Sequence, residues 1–307
     1  MKSFRWKKIG LVYENDMAGW SHSSHPCIIN TEDDNFIVAF TCRDNMSKSH
    51  IFLSKAIIKD STLLLFDSPK LCLSPGPLGF FDCDGAISVC FVKHNDFLYL
   101  YYVGWQNLPQ RMWICDTGRV IVDHVSLKMD REFYGPIIGR DKNNPLFAAA
   151  TAFLIIDGIW HTWYNSGLKW EESSNGLKHY YGIHHAISPN GIDWNFDNEM
   201  CIPFADEYEY AFGRPSIIKI NNTYCMWFAH RATKYIDKYR MGFAYSYNLK
   251  SWNRDDKLSG IDVSNDGWDS EMICYPYVFE HKGRYFMLYN GNGYGKSGFG
   301  LAVLEED

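Results

Sequence analysis

No run of basic residues interrupts this sequence. Its 30 Lys and Arg are mixed among 36 Asp and Glu, for a net charge of −6. A phosphate backbone is tracked by a continuous positive surface, so no nucleic-acid partner is expected. Apolar runs are short: none approaches the roughly 18 residues of a membrane helix, and no membrane insertion is expected. Met1 to Lys8 is basic, but the apolar stretch that follows, Gly10 to Tyr13, is too short for a secretory signal. A cytoplasmic location is therefore expected. The nine Cys are odd in number and contain no CxxC pair; Cys90 and Cys225 sit inside strand-like runs. They read as buried reduced thiols rather than a disulfide framework or a zinc site. The Asn-x-Ser/Thr triplets at Asn45 and Asn221 read as chance matches. Linkers, low-complexity runs and helical periodicity are also missing. That leaves one domain over residues 1–307 with little helix.

Aromatics are abundant: 11 Trp, 20 Tyr and 20 Phe make up 17% of the chain. They favour strands, and Tyr and Trp offer an apolar face with a polar tip. They recur in a pattern. A polar turn followed by an alternating aromatic and aliphatic strand ends at Phe40, Tyr102, Tyr164, Phe228 and Tyr289, at intervals of 62, 62, 64 and 61 residues. Each copy follows another short strand: CIIN from Cys27, AISVCFV from Ala86, TAFLII from Thr151, SIIKI from Ser216 and YVFE from Tyr277. The pairs read as hairpins. A third strand follows in most units, as in GIHHAIS from Gly182 and GFAYS from Gly242; GRVIVDHVSL from Gly118 matches least well. A repeat of about 60 residues with three or four strands is a propeller blade. Five of them use the whole chain, so the expected class is all-β, a five-bladed β-propeller. The even spacing argues against a β-sandwich.

The third-strand element G-x-x-x-A-x-S-x-(N/D)-(G/L)-x-x-W stands here as Gly182, Ala186, Ser188, Asn190, Gly191 and Trp194. It recurs, with a shorter first gap, as Gly242, Ala244, Ser246, Asn248, Leu249 and Trp252. With the M-x-Y-x-G-N strand near the C-terminus, it resembles the five-bladed propeller glycosidases, glycoside hydrolase families 43, 32, 68 and 130 and their relatives. The resemblance covers the chain from about Gly19 onward. It implies cleavage or transfer of glycosides by carboxylates on the inner strands, around a central funnel. It also implies an Asp at the start of blade one, an Asp in blade two and a Glu in blade three. Here His25 precedes Pro26 where that first Asp would stand, and Ala148 to Thr151 offer no acid in blade three.

Acids stand elsewhere. Asp82 and Asp84 lie in blade two, Glu209 with Arg214 in blade four, and Asp269 with Glu271 in blade five. Glycoside cleavage needs two carboxyls across the anomeric carbon. Asp84 and Glu271 are the expected acid/base pair, with Glu209 as a third catalytic candidate. Trp268 and Asp269 would raise the Glu271 pKa by excluding water and adding like charge. Arg214 either positions substrate or pairs with Glu209. His25 would contact the sugar or replace the absent Asp. Trp20, Phe81 and Trp268 would serve as sugar platforms, with Asp82 and Asp269 as ligands or turn residues. His22, His25, His184, His185 and His230 form a second constellation; His185 is the one expected to reach the substrate. Polar-pocket, catalytic and metal roles are all open to that group, but no metal ligand set and no cofactor motif is assigned. Two functions follow: an enzyme acting on a glycosidic or activated-sugar bond of a small saccharide, or a carbohydrate-binding propeller without hydrolysis, associated with polysaccharide synthesis.

Overall fold

Strand-forming aromatics and β-branched residues dominate between Asx- and Gly-rich turns, and the chain folds as successive antiparallel meanders. The computed structural model describes residues 3–109, 112–173, 176–231 and 237–305. The first meander is β2 (Ser21–Glu32), β3 (Asn35–Arg43) and β4 (Ser49–Lys59), with β5 (Thr62–Leu65) and β6 (Lys70–Leu73) along its outer edge. The next is β7 (Gly85–His94), β8 (Phe97–Asn107), β9 (Trp113–Asp123) and β10 (Lys128–Arg131). Then come β11 (Ala148–Ile156), β12 (Ile159–Ser173), β13 (Gly176–Ser188) and β14 (Asn195–Met200). They are followed by β15 (Ala211–Ile220), β16 (Thr223–Arg231), β17 (Arg240–Ser246) and β18 (Asn253–Arg254). The last is β19 (Cys274–His281), β20 (Arg284–Asn290) and β21 (Phe299–Leu304).

The N-terminal strand β1 (Trp6–Tyr13) pairs with β21, so the two ends of the chain share one sheet. The sequence alone left these residues unassigned. Their alternation is broken by register shifts between Lys8 and Gly10 and between Leu11 and Tyr13, and their partner lies at the other end of the chain.

Every predicted hairpin aromatic, Phe40, Tyr102, Tyr164, Phe228 and Tyr289, is fully buried. The reason is that each meander is apolar on both faces and shares a core with the one on either side. Ile37, Ala39 and Leu53 pack with Leu100 and Tyr102. Tyr101 packs with Phe153 and Trp160; Trp163 and Ile183 with Phe212 and Phe228; Trp227 and Phe243 with Met287 and Tyr289. Phe40 and Phe52 then pack with Leu288 and Phe299, returning the contact to the first meander. Each such buried side chain contributes about 1.5–3 kcal/mol.

The third-strand motif is a turn device. Ser188 Oγ accepts the Gly191 N–H and Ser246 Oγ accepts the Leu249 N–H, both at 2.9 Å. Asn190 and Asn248 cap the same turns by accepting two backbone N–H groups each. Gly191 and Leu249 take positive φ, 74° and 65°, and Trp194 and Trp252 close the turns against the core.

Candidate functional site

Each inner strand carries a bulge in its N-terminal half. The pairing skips between Ser24 and Cys27, Ser88 and Cys90, Ala150 and Ala152, Gly213 and Ser216, and Cys274 and Tyr277. A bulge re-aims the extra residue. The re-aimed residues are His25, Val89, Thr151, Arg214 and Tyr275, and all of them line one cavity of about 190 Å³. Their spacing along the chain is 64, 62, 63 and 61 residues, the period of the repeat. His25, Arg214 and Tyr275 each precede a Pro and hold φ of 52°, 33° and 55°. Such left-handed backbone is costly for residues with a Cβ, and three of the five re-aimed residues carry it.

Side chains of the middle strands fix the tier. Ser88 N–H donates to Thr41 Oγ1 at 2.9 Å, and Ser88 Oγ donates to the His25 carbonyl at 2.8 Å. Asn165 Nδ2 donates to the Phe212 carbonyl. Asn290 Oδ1 accepts the His25 N–H at 2.9 Å while its Nδ2 donates to the Ser23 carbonyl at 2.8 Å. Thr41, Asn165 and Asn290 each directly follow a hairpin aromatic, so one repeat position links neighbouring meanders at the depth of the cavity.

Arg214 is fully enclosed at the centre. Its Nη2 donates to the carbonyls of Pro26 and Val89, both at 2.8 Å, and its Nη1 to that of Tyr275 at 3.4 Å. No carboxylate among the described residues neutralises it, and burial lowers its pKa. His25 stacks on Tyr275 with ring centroids 3.8 Å apart. Burial first, then the charges of Arg214 and Arg43, hold its imidazole well below its ordinary pKa. His25 is therefore neutral near pH 7, and its Nδ1 has no hydrogen-bond partner. Above this tier stand Arg43, Trp105, Trp113, Asn165, Tyr181 and Tyr239. The Tyr181 and Tyr239 hydroxyls are 2.6 Å apart.

The cavity contains no carboxylate among the described residues, and the predicted acids lie elsewhere. Glu209 is buried against Arg254, whose Nη1 and Nη2 lie 2.7 and 2.9 Å from its oxygens; Ala205 N–H donates to it at 2.6 Å and His230 Nδ1 lies 2.7 Å away. Burial alone would raise its pKa, but the bonds from Arg254 and His230 prevail and push it down to about 2. It is saturated with partners, and that partner is Arg254 rather than Arg214. Asp82 is buried under Arg131 and the Tyr102 hydroxyl. Asp269 is buried under Lys8 and the Tyr289 hydroxyl. These two are turn anchors, one of the two roles open to them from sequence. Asp84 accepts the Asn107 N–H at 2.9 Å and lies 3.5 Å from Lys48. It sits five residues before Val89, roughly 15 Å along an extended chain. Glu271 is 59% exposed and paired with Lys238, so the water exclusion expected to keep it protonated is absent. The structure does not bring Asp84 and Glu271 together in the cavity.

The expected sugar platforms also fold elsewhere. Phe81 lies over Tyr102 at 5.8 Å and Trp268 over Tyr289 at 5.2 Å, each covering its own meander. Gly300 makes room for this, since a Cβ there would come within 2.5 Å of the Trp268 ring. Trp20 meets His50 and Phe52 edge-on. His185 pairs with His161, 3.0 Å between ring nitrogens, and packs on Trp163; His184 lies against Tyr164. Neither lines the cavity. Of the expected ligands only His25 and Arg214 do so. Larger hollows of 330 and 850 Å³ occur at the hairpin-turn ends of the strands and contain none of the candidate residues. Among the described residues no group of three or more His, Cys, Asp or Glu could hold a metal ion, and no helix is long and apolar enough to cross a membrane.

Sequence reasoning pointed to Tyr275 as an aromatic among the blade-five acids but missed Val89, Thr151, Trp105, Trp113, Tyr181 and Tyr239. One signal was available. His25-Pro26, Arg214-Pro215 and Tyr275-Pro276 recur at multiples of the repeat and mark the kinks.

No family model matches the chain. It is 34% identical to "Uncharacterized protein MT1551" of Mycobacterium tuberculosis (strain CDC 1551 / Oshkosh) over 98% of this chain and 99% of the mycobacterial one. Among solved structures, one described as "Glycoside hydrolase" superposes with a TM-score of 0.75 at 14% identity, covering 98% of this chain and 91% of that one. A thermostable family-43 glycoside hydrolase superposes at 0.63 with 15% identity, covering 96% and 91%. The chain thus belongs to the family of the mycobacterial protein, and its fold is that of the solved glycoside hydrolases on which it superposes.

Proposed function

We propose that the meanders are five blades of one propeller domain, and that its central cavity binds a saccharide without cleaving it by paired carboxylates. The observation that carries this reading is the lining: Trp105, Trp113, Tyr181, Tyr239 and Tyr275 supply ring faces and hydroxyls, and no carboxylate joins them among the described residues. Both known outcomes of glycoside cleavage use two carboxyls flanking the bond, whereas binding needs aromatic faces with a few fixed polar groups. At about 190 Å³ the cavity holds about six waters of roughly 30 Å³ each, room for one sugar ring. All nine cysteines are free, which supports a reducing compartment such as the cytoplasm.

Two indoles in the lining make intrinsic fluorescence the direct readout. Titration with a panel of methyl glycosides and short oligosaccharides should change Trp emission saturably, and Trp105→Phe should remove part of that signal. Nitrophenyl glycosides incubated with the protein should release no nitrophenol. Turnover that disappears in Asp84→Asn would overturn the non-hydrolytic reading and restore the enzyme.

A further inference from the structure

Three residues beyond the hairpin aromatics the middle strands place Arg43, Trp105, Gly167 and Arg231, and the fifth copy of the position, Asn292, lies just past the end of its strand. This is one repeat position, one step above the side chains that clasp the inner strands. Arg43 and Trp105 line the cavity; Arg231 lies at 5.1 Å from the ring of Tyr239, which also lines it. The two guanidinium groups are unusual in what they lack. Arg43 lies over Trp105 at 5.9 Å and has no ion-pair partner among the described residues. Arg231 is held between Tyr210 and Tyr239, at 5.0 and 5.1 Å, and donates from Nη1 to the Tyr294 hydroxyl at 3.0 Å. Its Nε is buried without a hydrogen-bond partner. With Arg214 below, whose Nε is also unpartnered among the described residues, two guanidinium groups line the cavity and a third stands behind Tyr239. The acids before the inner strands are already taken: Asp84 lies with Lys48, Glu209 with Arg254, Asp269 with Lys8 and Glu271 with Lys238.

An enclosed positive charge with free N–H groups favours an anion, because a charge-assisted bond from guanidinium to carboxylate or phosphate is about twice as strong as a neutral one. On a chain of net charge −6 this pocket of opposite sign would also draw an anion in from solution. We propose that the cavity recognises a saccharide through an anionic substituent, a carboxylate or a phosphate, bound by Arg43 and drawn by the charge of Arg231 behind Tyr239, while the sugar ring lies among Trp105, Tyr239 and Tyr275. This rests on the saccharide-binding reading above.

Calorimetric titration tests it with four probes: methyl glucoside, glucuronate, glucose 6-phosphate and inorganic phosphate. One or both charged sugars should bind at least about tenfold tighter than the neutral glycoside, with an affinity that falls as salt is raised; which of the two binds identifies the anion. Arg43→Gln and Arg231→Lys should each bring the charged sugar close to the neutral one. Arg284→Gln, at a remote hairpin turn, should change nothing. Thermal melts identify any variant that fails to fold, and Arg43→Lys then serves as the milder substitution. Equal affinity for neutral and charged sugars would overturn the anion site and leave the saccharide reading intact. Inorganic phosphate binding as tightly as the sugar phosphate would instead sink the saccharide reading while keeping the arginines as an anion site. Binding of none of the probes would overturn both.

Discussion

The cavity and the loop ends that lead into the inner strands carry charge of opposite sign. Around the cavity stand Arg43, Arg214 and, behind Tyr239, Arg231, with no carboxylate among the described residues. At the loop ends stand Asp82, Glu209 and Asp269, each buried and each already bonded to a cation and to a hydroxyl or backbone N–H. In sequence both sets are polar residues near strand ends, beside aromatics. The partners separate them. An acid already paired with a cation of its own chain is a fastener, whereas a cation bonded only to carbonyls, hydroxyls or ring faces still lacks a counter-charge. The catalytic potential of a propeller site depends on that remaining capacity rather than on the presence of Asp or Glu.

The largest effect should come from removing the most saturated fastener. Glu209→Gln leaves the buried Arg254 with Asp256 as its remaining carboxylate partner among the described residues and removes the charged oxygens beside His230. Loss of one member of a buried pair costs about 3 kcal/mol or more, which urea unfolding monitored by Trp fluorescence will measure. Acid titration gives a second mark. The Glu209 carboxyl is pushed down to about 2 in the fold, against about 4.3 in an unfolded chain. Its contribution is complete above the unfolded value and is lost as pH falls from there through about 2. The variant should show a flatter loss of stability over that window. An unchanged acid profile would mean that Glu209 is no fastener and would return it to the list of catalytic candidates.

Asp269→Asn and Asp82→Asn should follow, at roughly 1.5–3 kcal/mol each, the range for hydrogen bonds to a charged group. Lys8 ties the N-terminal strand to Asp269, so Asp269→Asn should also increase hydrogen exchange along Trp6–Tyr13. Exchange confined to the mutated loop would show that β1 is held by its ladder with β21 alone.

The repeat was legible because its signal is local: turn residues, alternation and burial of Phe40, Tyr102, Tyr164, Phe228 and Tyr289 are set within a few residues of each position. The cavity was not legible, because which side chain reaches it depends on register. A bulge of one residue re-aims the chain, so Asp84 and Glu271, placed correctly near inner strands, stay outside while Val89 and Tyr275 turn in. His25 was found because it stands before Pro26 where the resemblance asked for an Asp, and Arg214 because it follows the acids of blade four in a Gly-Arg-Pro run. The same Tyr-Pro signal at Tyr275 went unused. Arg43 and Arg231 give no local signal; only the repeat position three beyond the hairpin aromatics groups them.

The smallest effect should belong to Glu271, and it bears on the comparison most directly. Its side chain is 59% exposed and its partner Lys238 is 53% exposed. Surface pairs of this kind contribute about 0–1 kcal/mol, because water solvates both charges and two long side chains lose freedom in meeting. The backbone N–H of Glu271, which donates to Asn292 Oδ1 at 2.8 Å, is untouched by a side-chain change. Glu271→Gln should therefore leave the urea midpoint almost unmoved and the affinity for any saccharide within about twofold. Glu271 and Asp84 both precede inner strands and both face a lysine, so Asp84→Asn should behave the same way. If Glu271→Gln instead abolished a glycosidic turnover, an exposed carboxylate would be doing chemistry outside the cavity. The division between fastening acids and an acid-free binding site would then fail at its weakest point.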